Sequence, residues 1–305
     1  MTLPDIDAIL VRVPGWNGRA HVVGTLAGGL TNRNVLVDVE GVRFVVRIAG
    51  ADTHLLGIDR HVERQANARA HGLGFAADVY AFVEPECALV TRFEEGDPLD
   101  SERLREPTWL TRVARALRRF HESGPLPGVF DAFRVPGQHR DAATARGVKI
   151  PPAFDDAAER AAEIERAFAA APEPMRPCHN DLLAANFLGH GDRLVILDWE
   201  YAGMNDRYFD LGNLATNNGF SEADETALLD AYFADGVVTA RRRARLALMK
   251  IMSDFREAMW GVVQQGISAL DHDYVDYAAT HFDRLLANAS TPGYRRLLAE
   301  AAQPE

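Results

Sequence analysis

The chain has 305 residues, 47% of them hydrophobic and 25% charged, a composition that fits a folded globular protein and excludes a disordered or fibrous one. Its formal net charge of -11 would repel a phosphate backbone rather than release its counterions, which argues against nucleic acid as a partner. Two cysteines, Cys87 and Cys178, are too few and too isolated in the sequence for a disulfide framework or a metal cluster. The first 20 residues carry Asp5, Asp7 and Arg12 where a signal peptide or spanning helix would be apolar, so a cytoplasmic protein without membrane insertion is expected.

Residues 20–48 predict three strands, with a loop at Gly28 and Gly29 and a hairpin turn at Glu40 and Gly41. Residues 58–71 follow with helical spacing, and 82–93 return to strand character before a polar link at 94–100. That link divides a unit of residues 1–94 from one of residues 95–305. Beyond it the pattern is mostly helical: 107–122, then a Pro/Gly-rich irregular stretch beginning at Gly124, then a helix around 155–171. A loop with short strands occupies 178–198, and helices follow near 222–233, 240–268 and 274–289. A small β-rich unit followed by a larger helical one sets a ligand in the cleft between them.

The stretch Cys178-His179-Asn180-Asp181-Leu182-Leu183-Ala184-Ala185-Asn186 contains H-x-D-x-x-x-x-N, and Val195-Ile196-Leu197-Asp198 is an apolar run ending in an acid. Phosphoryl transfer from ATP needs a carboxylate to orient the attacking hydroxyl and accept its proton, and oxygen ligands for Mg²⁺ beside the β- and γ-phosphates. Asp181 is the candidate base, and Asn186 and Asp198 are the candidate metal ligands. An Asn/Asp-rich loop can use the same side chains only for turns and caps. The agreement of the upstream elements favours the chemical reading. Between the first two strands, Gly28 and Gly29 let backbone N–H groups approach phosphate oxygens, with Thr31 and Asn32 in the same loop. Paired glycines also make ordinary turns, and the loop lacks the full G-x-G-x-x-G pattern. On the third strand, alternation places Val42, Phe44, Val46 and Ile48 on one face and Arg43, Val45 and Arg47 on the other. Arg47 can therefore face the cleft, with Glu63 of the next helix as the ion-pair partner that aims it at the phosphates.

With these residues in place, the chain resembles the choline/ethanolamine kinase and aminoglycoside phosphotransferase superfamily from about residue 24 to 286. Gly28-Gly29-Leu30-Thr31-Asn32, Cys178-His179-Asn180-Asp181 and Asp198-Trp199-Glu200-Tyr201 are similar to the choline branch, as is Trp260-Gly261-Val262-Val263-Gln264 continuing to Tyr274-Val275-Asp276-Tyr277. The resemblance implies a bilobal protein-kinase-like α+β fold. Its small β-rich N-terminal lobe would bind the nucleotide, and its larger, mainly helical C-terminal lobe would carry catalysis and substrate binding.

The resemblance further implies that Asp181 is the base, that Asn186 and Asp198 hold Mg²⁺, and that Gly28, Gly29, Thr31, Asn32, Arg47 and Glu63 serve ATP. Trp260 and Tyr277 would cage a cationic head group, with Glu200 and Glu257 adding carboxylates, since a quaternary ammonium has no N–H to donate. Glu257 would suit a primary ammonium such as ethanolamine. His179 and Asp210 would brace the catalytic loop. The implied activity is ATP-dependent phosphorylation of a small cationic alcohol, choline first and ethanolamine close behind. Kinases for an aminoglycoside, thiamine or a sugar stay open, as does a non-catalytic nucleotide-binding regulator.

Overall fold

The computed structural model describes residues 5–26, 32–50, 52–268, 270 and 272–305. Gly28, Gly29 and Thr31 of the expected nucleotide loop lie outside them. The alternating apolar residues of the first third build one antiparallel sheet. A short helix α1 (Ile6–Leu10) precedes strands β1 (Ala20–Thr25), β2 (Asn32–Val39) and β3 (Val42–Ala49). Helix α2 (Arg60–Gly72) and strands β4 (Val79–Val83) and β5 (Ala88–Arg92) complete the unit, in the sheet order β1-β2-β3-β5-β4.

Val35 and Val37 of β2, Phe44, Val46 and Ile48 of β3, and Val90 of β5 turn to one face, where Ile9, Leu10, Val13 and Trp16 cover them. Glu40 and Gly41 both have positive φ, 55° and 85°, the geometry a two-residue hairpin turn demands, so Val39 pairs with Val42 and the register is set. Because the strand period is two, that register leaves Val45 and Arg47 on the opposite face. Asp59 caps α2 by accepting the N–H groups of His61 and Val62 and so starts the helix that carries Glu63. The strand expected over 82–93 is instead part of the β4–β5 hairpin. Pro85 has no N–H for a ladder, and the chain turns there.

The rest of the chain forms α3 (Ser101–Arg105), α4 (Pro107–His121), α5 (Val135–Ala145) and α6 (Ala153–Ala170), preceded by β6 (Asp97–Pro98). Short strands β7 (Arg176–Cys178), β8 (Phe187–His190), β9 (Arg193–Ile196) and β10 (Gly203–Asn205) follow. The chain continues through α7 (Arg207–Asn217), α8 (Glu222–Phe233), α9 (Ala240–Ile267), α10 (Tyr274–Ala289) and α11 (Tyr294–Ala301). Helix α5 lies in the stretch expected to be irregular: Pro136 sits in its first turn, where a missing N–H costs nothing. Helix α7 was not expected; its N-cap is Asp206, which accepts the Tyr208 N–H. Helix α9, 28 residues and about 42 Å long, runs through the core against α5, α7, α10 and α11. Among the described residues, no helix is long and apolar enough to cross a membrane.

Candidate active site

The loop between β7 and β8 carries Asp181 and is pinned from below. Asp210 of α7, fully buried, accepts the backbone N–H groups of His179 at 2.8 Å and Asn180 at 2.7 Å, and His121 Nε2 lies 3.0 Å from the same carboxylate. These bonds hold Asn180 at a φ of 69°, a left-handed conformation that asparagine tolerates better than most residues. The Asp181 N–H donates to His179 Nδ1 at 3.2 Å, so the imidazole proton sits on Nε2 and is donated to the Leu197 carbonyl at 2.8 Å. His179 thereby ties the loop to the strand end that presents Asp198. Both its ring nitrogens are occupied, and burial holds its pKa below the usual histidine range. Cys178, isolated in the sequence, packs with His121 and Asp210 in a buried group whose ligand atoms lie within 4.8 Å of one another. The Asp210 oxygens in that group already serve the loop.

On one side of this loop is a cavity of about 260 Å³ lined by Val45, Arg47, Leu89 and Thr91 of the sheet together with Leu26, Asn186 and Asp198. Arg47 Nη1 donates to Glu63 Oε1 at 3.0 Å and to Asp198 Oδ1. The other Glu63 oxygen accepts from Arg60 Nη1 at 2.7 Å, and Arg60 reaches on to Glu200 at 3.0 Å and to the Asn32 side-chain oxygen at 2.7 Å. Asn32 in turn donates to Glu200 at 2.8 Å. Burial alone would lower the Arg47 pKa, but the carboxylates of Asp198, Glu63 and Glu200 raise it above the ordinary value. Arg60 is a member that the sequence did not single out.

On the other side lies a cavity of about 330 Å³ lined by Asp181, Glu200, Tyr201, Arg256, Glu257, Trp260 and Tyr277. The Trp260 and Tyr277 ring centroids are 5.6 Å apart at 63°, an edge-on arrangement. Trp260 Nε1 donates to the Tyr201 hydroxyl at 3.0 Å, and the Tyr277 hydroxyl donates to Glu257 Oε2 at 2.9 Å. Arg256 Nη1 donates to Glu257 Oε1 at 2.6 Å and to Asp181 Oδ1 at 3.1 Å. Burial pushes the Asp181 carboxyl up to about 7; Arg256 opposes the shift, while Glu257, Asp198 and Glu200 add to it. Burial raises the Glu200 pKa as well. Tyr201 and Arg256 were missed in the sequence. The signal was present: Tyr201 follows Glu200, and Arg256 stands four residues before Trp260, on the same face of a helix.

The two cavities share Ala185, Asn186 and Asp198, so one thin wall separates the sheet side from the aromatic side.

Residues 22–247 match the phosphotransferase enzyme family. The chain belongs to that family. Protein LicA of Haemophilus influenzae is 33% identical over 215 residues, which cover 67% of this chain and 61% of the relative; the chain thus spans less than two thirds of that relative's length. Human ethanolamine kinase 2 is 27% identical over 308 residues, 89% of this chain and 77% of the relative. A crystal structure of a choline/ethanolamine kinase family protein from Mesorhizobium loti, 30% identical, superposes with a TM-score of 0.80 over 97% of each chain. The fold is the bilobal, protein-kinase-like α+β arrangement expected from the sequence.

Proposed function

We propose that the chain is an ATP-dependent kinase that moves the γ-phosphoryl group to the hydroxyl of a small amino alcohol, choline or ethanolamine. The observation that carries this reading is the shared wall. An arginine-bearing cavity and a cavity of aromatic rings and carboxylates meet at Asn186 and Asp198, beside Asp181. The names of the human ethanolamine kinase and of the choline/ethanolamine kinase family protein point to the same substrate class. On this reading residues 1–94 form the nucleotide lobe and residues 95–305 the catalytic and substrate lobe.

Arg47, braced by Glu63, would orient the ATP phosphates as a planar fork. Asn186 spends its amide nitrogen on the Asp181 carbonyl at 2.9 Å, which leaves its side-chain oxygen to pair with the Asp198 carboxylate as a hard-oxygen donor set that fits Mg²⁺. When bound there, Mg²⁺ would neutralise charge on the phosphate oxygens. Asp181 would hold the acceptor hydroxyl. As the alcohol oxygen bonds to the γ-phosphorus, the bond from that phosphorus to the bridging oxygen breaks. The electron pair leaves with ADP, and the hydroxyl proton passes to the Asp181 carboxylate.

The rings and carboxylates of the aromatic-side cavity suit a small cationic alcohol. Glu257 already accepts from Arg256 and Tyr277, so it would attract an ammonium mainly through space. That arrangement and the faces of Trp260 and Tyr277 support reading choline ahead of ethanolamine. The test is initial rates with Mg-ATP on choline, ethanolamine and 3,3-dimethylbutan-1-ol, which keeps the shape of choline without its charge. A desolvated cation–π contact of ~2 kcal/mol gives choline a kcat/KM at least about tenfold higher than the uncharged analogue. Equal use of the two would overturn the cationic-alcohol assignment.

A further inference from the structure

The aromatic-side cavity contains a cation to which the transfer step above assigns no task. Its described charged lining residues are Asp181, Asp198, Glu200, Glu257 and Arg256, four carboxylates against one guanidinium. The Arg256 side chain is 2% exposed, and its guanidinium carbon lies 4.3 Å from the Tyr201 ring centroid. Its two hydrogen bonds among the described residues, to Asp181 and Glu257, both leave from Nη1. Nε and Nη2 have almost no accessible surface and no hydrogen-bond partner among the described residues.

Those two atoms form the side-on edge of the guanidinium, which presents two parallel N–H bonds and matches an oxyanion in bidentate fashion. Buried donors left without acceptors are a cost to the folded state, and a bound oxyanion would relieve it. The reaction delivers one. After transfer, a phosphate monoester must sit in a cavity whose other charged side chains are carboxylates, beside the Mg²⁺ that Asn186 and Asp198 would hold. The loop between Asp181 and Asn186 is Leu182-Leu183-Ala184-Ala185 and supplies no positive charge. Arg47 lines the sheet-side cavity, where the departing phosphates belong on the reading above.

We infer that Arg256 receives the transferred phosphoryl group: on product formation its guanidinium shifts so that the Nε/Nη2 edge, closed to solvent in this structure, donates to the phosphate oxygens of the nascent monoester while Nη1 stays on Asp181 and holds that carboxylate in place. The inference rests on the proposed transfer to an amino alcohol. It adds no bond-making step, since Arg256 contributes only hydrogen bonds and charge.

Binding of choline and of phosphocholine to wild type, Arg256→Met and Arg256→Lys, measured by calorimetry, tests it together with kcat and the KM for ATP. In Arg256→Met, phosphocholine affinity falls at least tenfold, free choline binds as well as before or better because a competing cation is gone, and kcat drops with KM for ATP within twofold of wild type. Arg256→Lys keeps the charge without the fork and falls between, and it carries the test alone if the methionine variant does not fold. A purely structural role would weaken choline and phosphocholine together, and that result overturns the inference, as does undiminished phosphocholine binding. Wild type that neither binds nor phosphorylates choline or ethanolamine fails at the substrate reading itself, and the inference falls with it.

Discussion

Replacing Glu63 by glutamine tests whether one buried carboxylate organises the nucleotide side. Glu63 is 2% exposed and gives one oxygen to each of two guanidinium groups, Arg47 at 3.0 Å and Arg60 at 2.7 Å. Glutamine has a single acceptor oxygen. Whichever arginine keeps it, the other faces an amide N–H, donor against donor. Breaking a buried ion pair outright costs about 3–5 kcal/mol, but Arg47 retains Asp198, and Arg60 retains Glu200 and Asn32. The loss therefore sits at about 2–3 kcal/mol, a fall in Tm of about 4–8 °C for a chain of this size. Freed from one anchor, Arg47 orients phosphates less well, and KM for ATP rises by about tenfold while KM for the amino alcohol stays within twofold. Differential scanning calorimetry and initial-rate kinetics on the purified variant measure both. A Tm within about 1 °C of wild type together with an unchanged KM for ATP would refute the argument that Glu63 couples these arginines.

Arg47→Lys is harmful although it keeps the charge, because a point ammonium cannot serve Glu63 and Asp198 and still present a fork to phosphate; kcat/KM for ATP falls about tenfold or more in steady-state assays. In Gly261→Ala the new methyl would lie 2.8 Å from Tyr277 Cδ1 and 3.3 Å from the Tyr274 carbonyl oxygen, so α10 is pushed off α9. The amino-alcohol KM rises several-fold, KM for ATP is unmoved, and stability drops by about 1–3 kcal/mol in urea titration. Burial, with Arg256 adding to it, holds the His139 imidazole down to about 3. The unfolded chain takes up a proton there below about pH 6.5 and the folded one does not, so stability is lost at about 1.4 kcal/mol per pH unit as pH falls from that value toward 3. His139→Leu removes that slope, and urea unfolding of both proteins at about pH 7 and about pH 5 shows a smaller acid loss in the variant.

Local features of the site were legible in the sequence because their chemistry is local. Asp181, Asn186 and Asp198 lie within one loop-and-strand segment, and their spacing fixes them on a common wall. Period-two alternation in β3 was enough to turn Arg47 away from the sheet core, since Phe44, Val46 and Ile48 need burial. What escaped depends on contacts across the chain. Arg60 reads as a helix-start residue until α2 brings it to Glu200, 140 positions away. Arg256 looks like one more charge on a long helix until α9 passes beneath Asp181, 75 positions upstream. The β4–β5 hairpin and α5 were missed for a different reason: each carries a proline, Pro85 at the hairpin turn and Pro136 in the first helical turn. The effect of a proline depends on whether the missing N–H falls in a ladder or in a first helical turn.

The division of labour along the chain has a consequence for how such an enzyme changes over time. Asp181, Asn186 and Asp198, proposed as base and metal ligands, sit on the loop after β7 and the strand end at Asp198, while Arg256, Glu257 and Trp260 come from little more than one turn of α9. Altering that turn re-lines the acceptor cavity without touching Asn186, Asp198 or the Asp210 anchor beneath the loop. Acceptor preference can therefore shift through Glu257 and Trp260 with the metal-ligand pair in place, whereas Arg256, bonded to Asp181, ties that same turn to the transfer chemistry.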